Sequence, residues 1–301
     1  MGKGGREMTR KTAADFDPRI LDLFDGYVHG QMSKRDFLRR AGRFTLAGVS
    51  AAALLEALQP DYALALQVPI DDPDIRSERV RYASPDGHGE AEALMARPRG
   101  EGPFGAVLVV HENRGLNPYI EDVVRRCAKA GYLALGPDGL TSLGGYPGND
   151  DDGRVLQRQL DPQRLLADFF AGFEHLAGHP LSTGRVGAVG FCYGGGVCNA
   201  LAVAYPDMAC SVPYYGRQAA VEDVPAIEAP LQLHYAGNDD RINSGWPGYQ
   251  AALEAGGKTF EAHVYPAVNH GFHNDTTPRY DDAAATLAWS RTLDWFSRHI
   301  G

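Results

Sequence analysis

The sequence predicts an α/β fold with a mainly parallel sheet covered by helices on both faces. From about residue 76 onward, short apolar segments typical of buried strands alternate with amphipathic segments typical of helices. The segment GAVLVVHE, residues 105–112, is almost uninterruptedly apolar, as expected for a parallel strand buried on both sides. We therefore expect an open sheet whose functional residues follow the carboxyl ends of its strands.

Composition and charge set limits on the size of the protein and on its partners. The chain has 301 residues, of which 44% are hydrophobic, enough for one large domain or two small ones. A net charge of −9 argues against a nucleic-acid partner. Residues 1–66 carry a net charge of +2 and the remainder −11. This contrast predicts an N-terminal extension, residues 1–70, ahead of a main α/β domain, residues 71–301.

The N-terminal extension has two interpretations. SKRDFLR (33–39), the apolar run TLAGVSAAALL and a later ALA resemble a twin-arginine-type signal peptide, with Lys34 in place of the first arginine. That signal would make the protein periplasmic. Alternatively, DPRILDLFDGYVHG (17–30) has the amphipathic spacing of a folded helix, and the protein would be cytoplasmic. The apolar run is too short for stable membrane insertion.

The elements of the main domain follow in order along the chain. ERVRYAS (78–84) and EAEALMARP (90–98) predict two antiparallel strands ahead of the strand at 105–112. Asp161 and Pro162 mark a helix start. Further strands are predicted at 132–138, 185–191, 229–237 and 259–266, and helices at 119–131, 161–178, about 196–205 and 281–300.

The turn GFCYG, residues 190–194, fits the pattern glycine-x-nucleophile-x-glycine between a strand and a helix. Side chains in place of Gly190 and Gly194 would collide with the strand and the helix. Cys192 is therefore a candidate nucleophile, and the alternative is a small buried core residue. The four cysteines form no CxxC pair, so we expect neither a zinc cluster nor a disulfide framework.

A nucleophile in this position needs an acid and a histidine later in the chain. GNDDRIN (237–243) offers Asp239 and Asp240, and NHGFHND (269–275) offers His270 and His273. We prefer Asp239, with Asp240 as the alternative, and we prefer His270 as the base. His273 could contact substrate or lie on the surface.

The candidate triad implies an oxyanion hole for attack on a carbonyl group. The backbone N–H of Tyr193, the residue after the nucleophile, is the first candidate donor. The second is the backbone N–H of Asn113 in the loop after the strand at 105–112. A serine esterase that uses Ser211 is disfavoured, because this serine has no flanking glycines.

Four motifs together resemble the dienelactone hydrolase family of α/β-hydrolases. They are HENRGLNPYIEDVVRRCAKAGYLALGPD, GFCYGGG, GNDDRIN and NHGFHND, in this order, and the resemblance covers about residues 76–299. It implies an α/β-hydrolase fold with an N-terminal extension, a triad of Cys192, Asp239 and His270, and hydrolysis of a small-molecule ester or lactone without cofactor or metal. It also implies that Glu112 contacts the thiol and modulates it, as a carboxylate at the end of a strand can do.

Further residues are candidates for substrate binding. Arg114 could bind a substrate carboxylate, or it could pair with Glu121 or Asp122. The segment 141–154 is expected to lie over the cleft as a lid, and its Tyr146 is a candidate substrate contact. Arg279 could replace an arginine of the family's loop after the histidine. A non-catalytic binding protein with this fold is the alternative function, and the sequence does not predict the oligomeric state.

Overall fold

The sheet of the predicted α/β domain is mixed. The structure is a computed structural model that describes residues 11–44, 49–64 and 66–301. Within this part of the chain, eight strands form one sheet in the order β1-β2-β4-β3-β5-β6-β7-β8. The strands are β1 (Ile75–Ser84), β2 (Gly89–Pro98), β3 (Phe104–Val110), β4 (Leu133–Pro137), β5 (Ser182–Phe191), β6 (Cys210–Tyr214), β7 (Leu231–Asn238) and β8 (Phe260–Asn269).

The direction of the strands agrees with the sequence analysis. β1 and β2 are antiparallel, and β2 is antiparallel to β4, whereas β3 to β8 are mutually parallel. Because they are parallel, the carboxyl ends of these strands lie at one edge of the sheet. The loops that follow β3, β5, β7 and β8 meet there.

Helices cover both faces of the sheet and also form the N-terminal part of the chain. The α-helices are α1 (Pro18–Val28), α2 (Lys34–Ala41), α3 (Ala51–Leu58), α4 (Pro118–Lys129), α5 (Asp150–Gln157), α6 (Pro162–Ala177), α7 (Tyr193–Ala204), α8 (Asp240–Asn243), α9 (Trp246–Ala255) and α10 (Asp282–His299). The apolar residues of α4 and α10 belong to one hydrophobic core, and those of α6, α7 and α9 belong to a second. Two cores on opposite faces are what a buried parallel sheet requires.

The N-terminal helices have an apolar core of their own. Asp17 caps α1 by accepting a hydrogen bond from the backbone of Arg19, and Pro18 occupies the first helical position. The helix expected over 17–30 is thus present. The core residues contributed by α1, α2 and α3 include Ile20, Leu21, Phe24, Tyr27, Phe37, Leu55 and Leu58.

The expected export signal involves residues with and without described structure. Its SKRDFLR segment overlaps α2. Residues 45–48 of its apolar run and residue 65 of its ALA site lie outside the described residues. None of the helices in the described ranges has the length and apolar character that crossing a membrane requires.

Several elements differ from those expected. α7 begins at Tyr193 and not near 196, because the glycines after Cys192 form its first turn. The sequence pattern does not predict β6, because Pro213 argues against an interior strand. α9 begins with Trp246-Pro247-Gly248, which looks like a turn, although proline is compatible with a first helical turn. The segment 141–154, expected as a lid, enters α5 at Asp150.

Candidate active site

Cys192 lies at the tip of a strained strand-to-helix turn. β5 ends at Phe191 and α7 begins at Tyr193, so a single residue forms the turn. Its φ of 57° and ψ of −111° lie in a region that costs on the order of 1–3 kcal/mol for a residue with a side chain. A Cβ on Gly190 would lie 2.2 Å from the carbonyl oxygen of Gly194. The two glycines therefore permit the close approach that exposes the thiol to the cleft.

Asp239 and His270 form a buried pair beside this turn. Asp239 follows β7 as the N-cap of α8, and His270 directly follows β8. His270 Nδ1 lies 2.5 Å from Asp239 Oδ2, so the ring donates from Nδ1 and keeps Nε2 for another group. Asp240 is exposed. Of the two acids considered from the sequence, Asp239 is the one in contact with the histidine.

The free nitrogen of His270 is close to the thiol. A ring nitrogen of His270 lies within 4.8 Å of Cys192 Sγ, and Nδ1 is already held by the carboxylate. Within the described residues, Nε2 is buried and makes no hydrogen bond of good geometry. A buried ring nitrogen whose neighbour is a thiol is well positioned to exchange a proton with it.

A second histidine, His29 at the end of α1, also lies against the thiol. His29 Nε2 is 3.3 Å from Cys192 Sγ. Its Nδ1 lies 2.8 Å from the backbone oxygen of Asp25 and 3.2 Å from the Asp25 carboxylate. The rings of His29 and His270 meet edge to face, with centroids 4.7 Å apart. The sequence does not single out His29, because its one signal, an aspartate four residues earlier on a helix, does not indicate contact with a distant cysteine.

The two imidazoles stabilise the thiolate. Burial alone would raise the pKa of the Cys192 thiol, but charge on His270 and His29 lowers it well below its usual value. Burial opposes a charge on His270, yet Cys192 and Asp239 raise the pKa of this ring to about 10. Burial also opposes a charge on His29, and Cys192 and Asp25 raise its pKa in the same way. These directions favour a thiolate beside imidazolium at neutral pH.

A pocket of about 530 Å³ opens at Cys192, and apolar atoms dominate its wall. Tyr193 and Asn113, the two candidate oxyanion donors, both line this pocket. Tyr193 is the first residue of α7, so its N–H is among those at a helix start that have no acceptor within the helix. The Asn113 side chain donates a hydrogen bond of 2.8 Å to the backbone oxygen of Val28, which joins the loop after β3 to α1.

Glu112 and Arg114 belong to a buried charged network. Arg114 Nη2 lies 3.1 Å from Glu112 Oε1, and Arg114 Nη1 donates a hydrogen bond of 2.6 Å to Asp150 Oδ2. Asn274 Nδ2 donates a hydrogen bond of 3.0 Å to Glu112 Oε2. Burial raises the pKa of Glu112, and the Arg114 charge counteracts that rise. Arg114 is thus paired with carboxylates other than those considered from the sequence.

The other two candidate substrate contacts, Tyr146 and His273, are held by neighbouring side chains. Tyr146 Oη donates a hydrogen bond of 3.0 Å to Asp150 Oδ1. His273 is buried, stacks on Phe191, and has its Nδ1 2.7 Å from Tyr119 Oη. Burial lowers the pKa of His273 well below its usual value, so this ring is neutral at neutral pH.

The cluster around the thiol also has the composition of a metal site. Ligand atoms of His29, Cys192 and His270 lie within 4.8 Å of one another, and thiolate and imidazole are ligands that zinc prefers. We interpret the cluster as an acid–base site, because the strained turn at Cys192 already presents the sulfur to a pocket.

Comparison with known proteins agrees with the fold. The model of the dienelactone hydrolase family matches residues 91–300. The chain belongs to the dienelactone hydrolase family. It is therefore a hydrolase of carboxylic esters, a class that includes lactones, and its substrate is a small molecule. A second family model, described as YqhI-like, matches residues 8–46, which contain α1 and α2.

Individual relatives cover different parts of this dienelactone hydrolase family member. A provisionally named carboxymethylenebutenolidase of Methylorubrum extorquens is 29% identical over 294 residues, 93% of this chain and 99% of its own. A provisionally named hydrolase fragment, YghX, of Escherichia coli K12 is 61% identical over 115 residues, 38% of this chain and 98% of its own. A provisionally named dienelactone hydrolase of Klebsiella pneumoniae, solved by crystallography, has a TM-score of 0.64 and 26% identity over 74% of this chain and 99% of its own. The predicted α/β-hydrolase fold is confirmed.

Proposed function

We propose that this enzyme hydrolyses its ester or lactone through a covalent acyl-thioenzyme on Cys192. His270 takes the thiol proton on Nε2, and Asp239 accepts a hydrogen bond from Nδ1 and so keeps Nε2 directed at the sulfur. The observation that supports the proposal most directly is the buried contact of 2.5 Å between His270 Nδ1 and Asp239 Oδ2. This pair lies next to the thiol of Cys192 on its strained strand-to-helix turn. The same arrangement of roles occurs in nucleophile–histidine–acid enzymes of unrelated folds.

The reaction has two halves. The Cys192 thiolate attacks the carbonyl carbon, and the negative oxygen that develops is stabilised by the backbone N–H groups of Tyr193 and Asn113. The carbon–oxygen bond to the leaving group then breaks, the leaving oxygen takes a proton from an imidazolium of the site, and a thioester remains. Water attacks the thioester and gives a proton back to that imidazole, the carbon–sulfur bond breaks, and the carboxylic acid leaves with the thiolate restored. A thiolate suits this sequence because it is both a good nucleophile and a good leaving group.

The pocket also constrains the substrate. Apolar side chains such as Leu166 and Val197 form much of its wall, and Arg217 and Arg241 provide two cationic groups at its border. Such a pocket suits a compact acyl group with an apolar face. An ester or lactone that also carries a carboxylate could pair with one of the two arginines.

The test is hydrolysis of aryl acetates and of small lactones by the purified protein and by Cys192→Ala. We expect turnover by the protein, no turnover by the variant, and an acyl adduct on Cys192 by mass spectrometry after rapid acid quenching. Cys127→Ala is the matched control, since Cys127 is buried in the core at α4 and burial raises the pKa of its thiol to about 12. Turnover by Cys192→Ala equal to that of the unchanged protein would refute the nucleophile.

A further inference from the structure

The pocket at Cys192 is bordered by a different imidazole from the one that pairs with Asp239. His29 lines this pocket, whereas His270 lines a second one, of about 390 Å³. A leaving group bound next to the sulfur would therefore meet His29. The presence of His29 in the Cys192 pocket matters, because an alkyl ester or a lactone needs a proton on its leaving oxygen when the carbon–oxygen bond breaks.

The contacts of His29 fix its orientation, with one ring nitrogen held by Asp25 and the other directed at the sulfur. Asp25 lies next to Nδ1, through its backbone oxygen at 2.8 Å and its carboxylate at 3.2 Å, so Nδ1 carries a proton and Nε2 is directed at the sulfur. Arg241 Nη2 lies 3.2 Å from Nε2 and can only donate, so Nε2 accepts from Arg241 in the neutral ring and gains a proton when this contact opens. The Arg241 charge also opposes a second proton on the ring. The Asp25 carboxylate, 3.6 Å from Arg241 Nε, offsets that charge.

The Asp25 carboxylate is itself fixed in place. Arg279 Nη1 donates to Asp25 Oδ1 at 3.4 Å, and the Arg279 guanidinium lies over the Phe24 ring of the same helix. The helix end is fixed by the hydrogen bond from Asn113 to Val28. Side chains of the main domain thus hold both the carboxylate and the helix that bears the histidine.

We propose that His29 is a second catalytic imidazole, which protonates the leaving oxygen and later takes a proton from the attacking water. The inference rests on the proposed role of Cys192 as nucleophile. In acylation the sulfur–carbon bond forms, the carbon–oxygen bond breaks, and the Nε2 proton of the His29 imidazolium passes to the leaving oxygen. In deacylation water gives its proton to Nε2, its oxygen bonds to carbon, and the sulfur leaves as thiolate. His270 stays as the partner of the thiolate, and each turnover consumes one ester and one water.

The experiment compares two esters with the same acyl group, 4-nitrophenyl acetate and benzyl acetate, in the unchanged protein and in His29→Gln. Nitrophenolate leaves without a proton, whereas benzyl alcohol needs one. A general acid typically contributes 10²-fold or more. We expect kcat/KM to fall by about 10²-fold for benzyl acetate and by less than about tenfold for 4-nitrophenyl acetate. Each value is taken on the pH plateau of its variant, in EDTA, so that neither thiol ionisation nor bound metal enters the comparison.

Two further variants control the comparison. Asp25→Asn removes the carboxylate charge next to His29 Nδ1. It should also lower kcat/KM for benzyl acetate more than for 4-nitrophenyl acetate, but by less than His29→Gln does. His175→Gln changes a half-buried histidine of α6 that stacks on Tyr82, and should change neither rate. Circular dichroism of each variant reports whether the fold is kept.

The outcomes separate this inference from the proposed function. An equal loss for both esters, or no loss, in His29→Gln would overturn the role of His29, while Cys192→Ala would still report on the nucleophile. Alkylation of Cys192 by iodoacetamide provides a readout that needs no substrate. We expect its midpoint pH to rise in His29→Gln, because the variant removes one of the two imidazoles next to the sulfur, and an unchanged midpoint would contradict the contact.

Discussion

The close approach of α7 to β3 can be tested with a single methyl group. In Gly194→Ala the new Cβ would lie 2.3 Å from the backbone oxygen of Val110 and 2.7 Å from that of His111. Carbon and oxygen atoms normally approach to about 3.5 Å, so the overlap is about 1 Å. Both oxygens belong to the backbone, and neither can rotate away. The helix must therefore move relative to the strand, and the Cys192 turn must move with it.

The expected loss of stability follows from two opposing effects. Alanine is better than glycine in a helix by up to about 1 kcal/mol. Overpacking typically costs about 1–3 kcal/mol. Because the backbone contact cannot yield, we expect the overpacking cost in Gly194→Ala to be about 3 kcal/mol, before the helix gain is counted. Gly248→Ala is the matched control, since Gly248 lies in α9 and none of the described residues has an atom within 4 Å of the new Cβ. The free energy of unfolding should therefore fall by about 2 kcal/mol in Gly194→Ala and rise by about 1 kcal/mol in Gly248→Ala. The two variants should differ by about 3 kcal/mol.

Thermal and urea unfolding measure this difference. At roughly 2–4 °C per kcal/mol for a protein of this size, the melting temperatures of the two variants should lie about 6–12 °C apart. Gly194→Ala should also slow iodoacetamide alkylation of Cys192, whereas Gly248→Ala should leave it unchanged. Equal melting temperatures would refute the idea that the close contact between Gly194 and the backbone of β3 fixes the position of the Cys192 turn.

Three further predictions concern the charged groups of the site. Asp239→Asn should lower kcat/KM for esters by about 10⁴-fold, because an amide reverses the favoured imidazole tautomer. Asp240→Asn, at an exposed position, should change it less than about threefold, and equal losses would contradict the assignment. Arg114→Met leaves two buried carboxylates unpaired and should cost about 3–5 kcal/mol in urea unfolding. Arg81→Met removes only exposed pairs, so it should leave the unfolding midpoint nearly unchanged, and a similar loss in both arginine variants would refute the buried network. Finally, the rate of Cys192 alkylation should persist as the pH falls below the ordinary thiol pKa of about 8.5, since the imidazoles favour the thiolate, and a midpoint at or above that pH would contradict this.

The part of the site that follows from local rules could be predicted from the sequence. The Gly190–Gly194 elbow is a short-range pattern with a steric cause, and Asp239 and His270 follow the ends of strands that the apolar pattern indicates. Because parallel strands end at one edge, chain order was enough to bring these residues together. The contact between Asp239 and His270 could be predicted for the same reason, because both residues follow strands that end at this edge.

What could not be predicted depends on how separate parts of the chain pack together. No periodicity indicates that α1 places His29 against a cysteine in the main domain. The same holds for Arg114, whose partners Glu112 and Asp150 come from two different segments. Local patterns also gave the wrong start for α7, since a run of glycines resembles a turn even where the helix needs their small size to approach β3 and β6.

The position of α1 links the fate of the N-terminus to the chemistry of the enzyme. If an export peptidase cut near residue 65, the mature protein would keep Cys192, Asp239 and His270 but lose Asp25 and His29. With Cys192 and His29 in their proposed roles, such a protein would still hydrolyse esters with good leaving groups, and alkyl esters and lactones would become poor substrates. Processing would then set the substrate range as well as the compartment, so one chain could provide two enzymes with different selectivity.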